Sequence, residues 1–188
     1  MDNKSCLLPR VAFWLIPSQP ERAFLQNLIT DLAGRFSSPE FIPHVTIYSC
    51  HRSVLQEELA IMASLAGRCP LVTLRTDGLA FRDRLTEALF VRLNSAETLE
   101  WLRETMQNEL SQASSHEFDP HVSLLYKFLP ASVRASLAGE IKLPMQEICF
   151  DQIWAVAIPE SIHSAENLSG WQTLLSCRLA SSAIVDTI

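Results

Sequence analysis

The sequence predicts an α+β fold in which a strand-helix-strand unit occurs twice. Short β-branched strands alternate with amphipathic helical segments in both halves of the chain. One pattern, F-x-P-H-V-[ST]-[IL], occurs once in each half, as FIPHVTI and FDPHVSL. The interval before each histidine is also repeated, because 31 residues separate Phe13 from His44 and Phe90 from His121. Two copies indicate a duplicated, bilobal body with a pseudo-twofold arrangement, since a solenoid needs three or more repeats.

The elements of the first unit are predicted from apolar periodicity and from residues that cap helices. Ser18 with Glu21, and Ser53 with Gln56, have the spacing of a capping box, in which side chains satisfy free backbone N–H groups. The helix predicted to begin at Ser18 and Glu21 has apolar residues three and four apart, so one face is expected to pack against a sheet. The predicted elements are strands at 10–17, 44–49 and 71–76, a helix from Pro20, and a second helix carrying Leu55, Leu59 and Met62.

The second unit repeats this order. Asn94 and Glu97 are predicted to open its helix. Gly139 is expected to end a short helix, because glycine readily adopts the left-handed conformation found after helices. The predicted elements are a strand at 88–93, the helix after Asn94, a strand at 121–126, a helix at 130–138, strand structure at 147–158 and a last strand at 171–179.

Chain length favours one compact domain. With 188 residues the chain can bury most of its unfolded surface around a shared core. We therefore expect a single bilobal domain over 1–188, with lobes built from the repeats 10–77 and 88–158 and completed by the strand at 171–179.

Composition excludes several classes of protein. The chain is 48% hydrophobic and 19% charged, and no stretch approaches the roughly 20 apolar residues that span a bilayer. The N-terminus lacks the charged head, apolar run and cleavage site of a secretory signal, so a cytoplasmic location without a membrane role is expected. A net charge of −6 argues against binding of long nucleic acids but is compatible with one small anionic ligand. A monomer is expected.

Cysteine and glycine usage argue against metal cages and glycine-rich nucleotide folds. Five cysteines occur without a CxxC pair, so buried free thiols are expected rather than a zinc site or a disulfide framework. The five glycines form no GxGxxG, Walker or GxSxG motif. Neither a metal nor a cofactor is expected.

The repeated motif places an imidazole beside a hydroxyl in each half. Strand side chains alternate, so His44 shares a face with Thr46, and His121 shares a face with Ser123. Under the pseudo-twofold arrangement both faces can line one cleft, which suits phosphodiester hydrolysis. A neutral histidine can take a proton from water, and a protonated histidine can give one to the departing oxygen. An isolated HVT or HVS tripeptide is usually an ordinary strand, but the matched pair favours function.

The pair of motifs, His44-x-Thr46 and His121-x-Ser123, resembles the signature of the two-histidine (2H) phosphoesterase superfamily over essentially the whole chain. Its aromatic first strand and the tyrosine five residues after the second histidine are most similar to the cyclic phosphodiesterases. The resemblance implies two lobes whose antiparallel sheets face a central cleft, with helices outside. It also implies metal-free hydrolysis of nucleoside 2′,3′-cyclic phosphates or ADP-ribose 1″,2″-cyclic phosphate. By the same resemblance, His44 and His121 are the acid/base pair, and Thr46 and Ser123 bind phosphate.

Two aromatic residues, Trp14 and Tyr126, are implied by the same resemblance as cleft wall and ligand contacts. For Trp14 a core position on its strand is an equal alternative. Tyr126 has the opposite parity from His121, so strict alternation places it on the outer face unless the strand ends or twists there. The sequence leaves the acid and base roles unassigned, with a slight preference for His121 as base.

Other charged residues have ordinary interpretations. The loop Arg82-Asp83-Arg84 could contact a nucleotide, but a solvated hairpin tip is preferred. Lys127 is equally a solvated strand end or a contact for an anion. A metal site that includes Asp119 has little support, because the remaining histidines lack ligand spacing and are expected at surface or cap positions. These histidines are His51, His116 and His163.

Two other functions remain open from the sequence. An RNA end could be the substrate, as in ligase-like 2H enzymes, although Lys and Arg are scarce. A nucleotide-binding module that has lost catalysis is the other alternative, although both histidines and both hydroxyls are present.

Overall fold

The computed structural model describes residues 10–51, 55–110, 118–159 and 170–180. These ranges contain seven strands, four α-helices and one short 3₁₀ helix, so the predicted α+β class is confirmed. The strands are β1 (Arg10–Pro17), β2 (Val45–His51), β3 (Val72–Ala80), β4 (Leu89–Leu93), β5 (His121–Leu125), β6 (Glu147–Ile158) and β7 (Gln172–Arg178). The helices are α1 (Glu21–Phe36), α2 (Leu55–Arg68), α3 (Glu97–Glu109) and α4 (Ala131–Glu140), and the 3₁₀ helix covers Leu85–Glu87.

The strands form one hydrogen-bonded path in the order β2-β1-β6-β3-β4-β5, and β7 pairs with β6. Every ladder between these strands is antiparallel, as expected. β3 joins the two halves, because residues 72–75 pair with β6 and residues 76–80 pair with β4. The two predicted sheets are therefore continuous with each other through β3.

The first helix of each unit packs across the repeat boundary. α1 belongs to the first unit but contacts β5 of the second, and α3 of the second unit contacts β2 of the first. β2 and β5 also contact each other. This crossed packing brings the two motif-bearing strands together. Across the described part of the chain, no helix has both the length and the apolar character needed to span a bilayer.

β1 is buried on both faces, which explains its unbroken apolar sequence. Its residues alternate between the main core, which extends through both halves, and a smaller apolar cluster. Val11, Phe13 and Leu15 face the main core, whereas Ala12, Trp14 and Ile16 form the smaller cluster with Val156 of β6.

The two units differ by one residue in strand register. Trp14 lies opposite Thr46 in the first unit, whereas Phe90 lies opposite Ser123 in the second. Phe13 and Phe90 occupy equivalent positions in the sequence, yet only Phe13 joins the main core. The repeated 31-residue interval therefore does not give the two phenylalanines equivalent environments, and Trp14 is the structural counterpart of Phe90.

The predicted capping boxes are wrong for α1 and α3. Pro20 precedes α1 and Ala96 precedes α3, and neither residue caps its helix through a side chain. In α1 the side chain of Gln19 instead accepts a hydrogen bond from the N–H of Ala23 at 3.2 Å. The Ser18 hydroxyl instead donates to the carbonyl of Cys149 in β6, at 3.1 Å, and so ties the end of β1 to the sheet. The capping residue predicted for α2, Ser53, lies outside the described residues.

Two glycines change the predicted element ends. β3 continues to Ala80 instead of ending at Thr76. Gly78 makes this possible, because it adopts a φ of 75°, a backbone conformation that favours glycine. The register against β4 shifts at this point of the strand. α4 continues through Gly139, which is not in the left-handed region.

Candidate active site

A cleft of about 210 Å³, open to solvent, contains the motifs of both repeats. The structure brings together all six residues that the sequence indicated: Trp14, His44, Thr46, His121, Ser123 and Tyr126. Other residues that line it were not predicted, among them Thr86, Glu87 and Trp171.

The same backbone contact holds both histidine rings. His44 Nδ1 lies 2.6 Å from the carbonyl oxygen of Ile42, and His121 Nδ1 lies 2.7 Å from that of Asp119. A carbonyl oxygen only accepts, so each Nδ1 carries the hydrogen and donates it. Nε2 is then the ring nitrogen available for proton exchange, and no group among the described residues bonds it. Each motif therefore selects one tautomer of its histidine.

Aromatic rings enclose His44. Trp14 stacks on its imidazole with 3.8 Å between centroids and 14° between planes. Trp171 and Phe41 meet the ring edge-on, with centroids 6.1 and 6.5 Å away. This burial lowers the pKa of His44 to about 4; the backbone hydrogen bond opposes the shift, and the charge of His121 adds to it. His44 is therefore neutral at pH 7.

His121 lies beside a charged cluster. Arg82 pairs with Glu87 at 2.6 Å and with Asp119, and its guanidinium lies 5.2 Å from the centroid of Phe90. Phe90 in turn contacts the imidazole of His121, with 4.9 Å between centroids. Burial raises the pKa of Glu87, but hydrogen bonds from neighbouring arginines and the charge of His121 outweigh burial and lower it. Glu87 is therefore an ionised carboxylate that lines the same cleft as His121.

The two motif hydroxyls are in different states. Thr46 is exposed to the cleft, and its hydroxyl has no partner among the described residues. Ser123 is buried, and its hydroxyl donates to the carbonyl of Thr86 at 2.8 Å. A serine hydroxyl has one hydrogen, so Ser123 can donate to a ligand only after that hydrogen turns away from Thr86.

Tyr126 enters the cleft because β5 ends at Leu125, which removes the constraint of strand alternation. Its ring stacks on Phe41 with 3.8 Å between centroids. Burial raises the pKa of its phenol, so the group stays protonated at neutral pH and can donate. Trp14 is only 4% exposed, so it serves the site mainly as the wall behind His44.

The residues that the sequence did not indicate are distant from the motifs along the chain. Trp171 directly precedes β7 and contacts both Trp14 and Tyr126 edge-on. Glu87 lies in the 3₁₀ helix that follows the loop Arg82-Asp83-Arg84. The prediction of a solvated hairpin tip is wrong for Arg82, which pairs with the carboxylates of Glu87 and Asp119. The sequence offers one indication of this cluster, the alternating charges of the loop followed by a glutamate.

The remaining candidates lie away from the cleft or outside the described residues. Lys127 donates to the carbonyl of Ser37 at 3.4 Å, and His51 is exposed at the end of β2. His116 and His163 lie outside the described residues. Within the described ranges, no group of three His, Cys, Asp or Glu side chains is placed to hold a metal ion.

The arrangement can exchange two protons around one anionic group. Two imidazoles present Nε2 to the same cleft, one of them neutral and the other beside a carboxylate. Thr46 and Tyr126 add hydroxyl donors at its wall. Such a set can stabilise and protonate an oxygen-rich ligand without any covalent contribution from the protein.

Comparisons with known proteins agree with this arrangement. The family described as cyclic phosphodiesterase-like protein matches residues 10–179. A cyclic phosphodiesterase of Arabidopsis thaliana is 21% identical over 176 residues, covering 88% of this chain and 93% of that protein.

Solved structures with a similar fold include two bacterial proteins. The protein TT0787 of Thermus thermophilus gives a TM-score of 0.63 at 17% identity, over 92% of this chain and 98% of that one. E. coli LigT complexed with 3′-AMP gives 0.57 at 17% identity, over 93% and 99%. The structural likenesses show the fold, and the family match over residues 10–179 shows that this chain belongs to the cyclic phosphodiesterase-like protein family.

Proposed function

We propose that this protein hydrolyses a small cyclic phosphodiester, either a nucleoside 2′,3′-cyclic phosphate or ADP-ribose 1″,2″-cyclic phosphate, without a metal ion. The best support is the pair of histidines that meet in one cleft, each with Nδ1 bonded to the backbone and Nε2 available. Hydrolysis needs two such groups, because one proton leaves the attacking water and another reaches the departing oxygen.

The unlike surroundings of the histidines support a division of roles. His44, neutral because its pKa is about 4, accepts the proton from water as the water oxygen bonds to phosphorus. His121, which shares the cleft with the ionised Glu87, donates a proton to the leaving ester oxygen as the P–O bond breaks. This assignment differs from the slight sequence-based preference for His121 as base. The balance is one water consumed and one phosphomonoester formed.

Hydroxyl groups stabilise the phosphate during this step. Thr46 is the exposed donor and Tyr126 a buried, protonated one. Ser123 contributes once its hydrogen turns from the Thr86 carbonyl to the ligand. Donors already oriented towards the developing charge lower the barrier more than mobile water does.

The proposed size of the substrate is supported by charge and by relatives. The chain carries a net charge of −6, which disfavours long polyanions. E. coli LigT, similar in fold, was crystallised with 3′-AMP, with NADP⁺ and with ATP. 3′-AMP is the monoester formed when 2′,3′-cyclic AMP opens at its 2′ oxygen. The related protein of Arabidopsis thaliana is named a cyclic phosphodiesterase.

Phosphorus NMR of a substrate panel tests this function. The panel contains 2′,3′-cyclic AMP, ADP-ribose 1″,2″-cyclic phosphate and a short RNA ending in a 2′,3′-cyclic phosphate, all in excess chelator. We expect the two small substrates to become monoesters, and His44→Ala and His121→Ala each to reduce kcat by about 10²- to 10⁴-fold. His51→Ala, an exposed histidine outside the cleft, is the matched control and should retain full turnover.

Four results would contradict the proposal. Activity that disappears in chelator would indicate a metal. Turnover that survives both alanine substitutions would remove the histidines from the chemistry. Tight nucleotide binding without turnover would identify a binding module instead, and a strong, salt-sensitive preference for the RNA would indicate RNA ends as the substrate.

A further inference from the structure

The charged cluster beside His121 carries an inference about a residue that does not touch the substrate. We propose that Arg82 is a positioning residue for His121, which it holds in place through Asp119 and Phe90. The kinetic consequence rests on the proposed function, whereas the contacts themselves belong to the free protein.

Arg82 binds two carboxylates at once. Its Nη1 lies 2.6 Å from Glu87 Oε2, and its Nη2 pairs with Asp119 Oδ2. Its backbone N–H also donates to the carbonyl of Glu87 at 2.8 Å. A guanidinium is planar and rigid, so a side chain held at both nitrogens has little freedom. Arg82 thereby joins the loop after β3 to the segment that leads into β5.

Asp119 transmits this constraint to the histidine. Its carboxylate pairs with Arg82, while its backbone carbonyl accepts the Nδ1 hydrogen of His121 at 2.7 Å. The two groups belong to one residue, so rotation of the backbone at Asp119 would move both. By holding the carboxylate, Arg82 restricts that rotation and keeps the carbonyl directed at Nδ1.

Phe90 provides a second connection. Its ring is fully buried and contacts both the guanidinium of Arg82, at 5.2 Å, and the imidazole of His121, at 4.9 Å. Loss of the guanidinium would remove this contact from the Phe90 ring. The imidazole of His121 would then gain freedom to tilt.

In the first repeat, apolar packing takes the place of the ion pair in holding the backbone before the histidine. Ile42 occupies the position of Asp119 in the motif and packs against the smaller apolar cluster of β1. Its carbonyl holds His44 in the same way, at 2.6 Å. The second repeat has a carboxylate at this position, and Arg82 is its cationic partner.

Arg82→Met tests the inference against Arg92→Met as control. Arg92 lies on β4 opposite His121 in the ladder, but it is half exposed, and its one ion pair within the described ranges is a 3.8 Å contact with Asp77. The readouts are kcat for the cyclic substrate and the nitrogen NMR shift of His121 Nδ1 in the free protein. We expect Arg82→Met to reduce kcat on the order of 10- to 100-fold with little change in KM, and to move Nδ1 towards a mixture of tautomers.

The kcat and the Nδ1 shift of Arg82→Lys should lie between those of the wild type and of Arg82→Met, because an ammonium keeps the charge but cannot bridge both carboxylates with fixed geometry. If Arg82→Met does not fold, Asp119→Asn replaces it, since this variant keeps the backbone carbonyl and removes the charged partner; the same shift of Nδ1 is expected. The inference would be overturned if Arg82→Met had the same kcat and the same Nδ1 shift as the control Arg92→Met. A wild type without turnover would refute the proposed function alone, because Nδ1 would still report the positioning.

Discussion

The two histidines of the cleft are held alike and surrounded differently. Each donates Nδ1 to the carbonyl of the residue two positions before it, and each has an aromatic ring from the neighbouring strand beside it. His44 is enclosed by Trp14 and other aromatic side chains, whereas His121 lies next to Glu87 and the ion pairs of Arg82.

This difference shows how a duplicated unit can supply two unlike catalytic groups. The backbone fixes the same tautomer in both copies, so the geometry of proton transfer is shared. Burial then keeps the imidazole of His44 neutral, whereas the imidazole of His121 lies in a cleft wall that includes an ionised carboxylate. An acid and a base arise from one motif because the residues around it diverged.

The largest expected effect is a loss of stability in acid caused by His44. Its pKa is about 4 when folded against 6.5 for an ordinary imidazole, so the unfolded state binds the proton first as the pH falls. The contribution to the free energy of unfolding is complete above pH 6.5 and decreases by about 3 kcal/mol by pH 4. Between pH 7 and pH 4 the free energy of unfolding of His44→Gln should fall by about 3 kcal/mol less than that of the wild type. Urea unfolding at steps between pH 7 and pH 4 measures this, and equal losses in both proteins would refute it.

Ile42→Asp gives the first repeat the residue of the second without its arginine. An unpaired carboxylate beside the apolar cluster should reduce the free energy of unfolding by about 2 to 3 kcal/mol at pH 7. It should also raise the pKa of His44, because a negative charge favours the imidazolium. Ile42→Asn, similar in shape but uncharged, is the control. Unfolding and histidine NMR measure both quantities, and equal pKa changes in the two variants would contradict the electrostatic explanation.

Trp14→Leu opens the enclosure of His44, and Phe13→Leu is its matched control on the opposite face of β1. Each should reduce the free energy of unfolding by about 2 kcal/mol, since each removes a buried ring. Only Trp14→Leu should admit water to His44 and move the acid limb of kcat/KM upward from about pH 4. The same limb in both variants would show that the aromatic enclosure does not set the titration.

The smallest effects separate the two motif hydroxyls. Ser123→Ala leaves the Thr86 carbonyl without its donor and should reduce the free energy of unfolding by about 1 kcal/mol as well as kcat/KM. Thr46→Ala removes an exposed hydroxyl, so stability should change by less than about 0.5 kcal/mol while kcat/KM falls about tenfold. Calorimetry with steady-state kinetics distinguishes these results. A stability loss for Thr46→Ala equal to that for Ser123→Ala would contradict the assignment.

The sequence predicted what its local pattern determines. Alternation along a strand placed His44 with Thr46 and His121 with Ser123, and all four residues line the cleft. Strict strand alternation predicts Tyr126 on the outer face of β5. It lies in the cleft instead, because β5 ends at Leu125 and the alternation no longer applies.

What the sequence could not predict depends on contacts between distant segments. Arg82 and Asp119 are 37 residues apart, and their pairing follows from the position of two loops. Trp171 meets His44 only because β7 pairs with β6. Phe13 and Phe90 have equal spacing to their histidines but unlike environments, because strand register is set by packing across the sheet.

Titration of the two imidazoles in the free protein by nitrogen and carbon NMR tests the central claim most directly. Isotope-labelled wild type, with His44→Gln and His121→Gln used to assign the signals, follows each ring separately. We predict that His44 keeps its Nδ1 hydrogen and remains neutral until the pH approaches about 4. A His44 that is already charged at pH 6.5, or that carries its hydrogen on Nε2, would contradict the claim that the aromatic enclosure keeps this imidazole neutral with Nε2 available as a base.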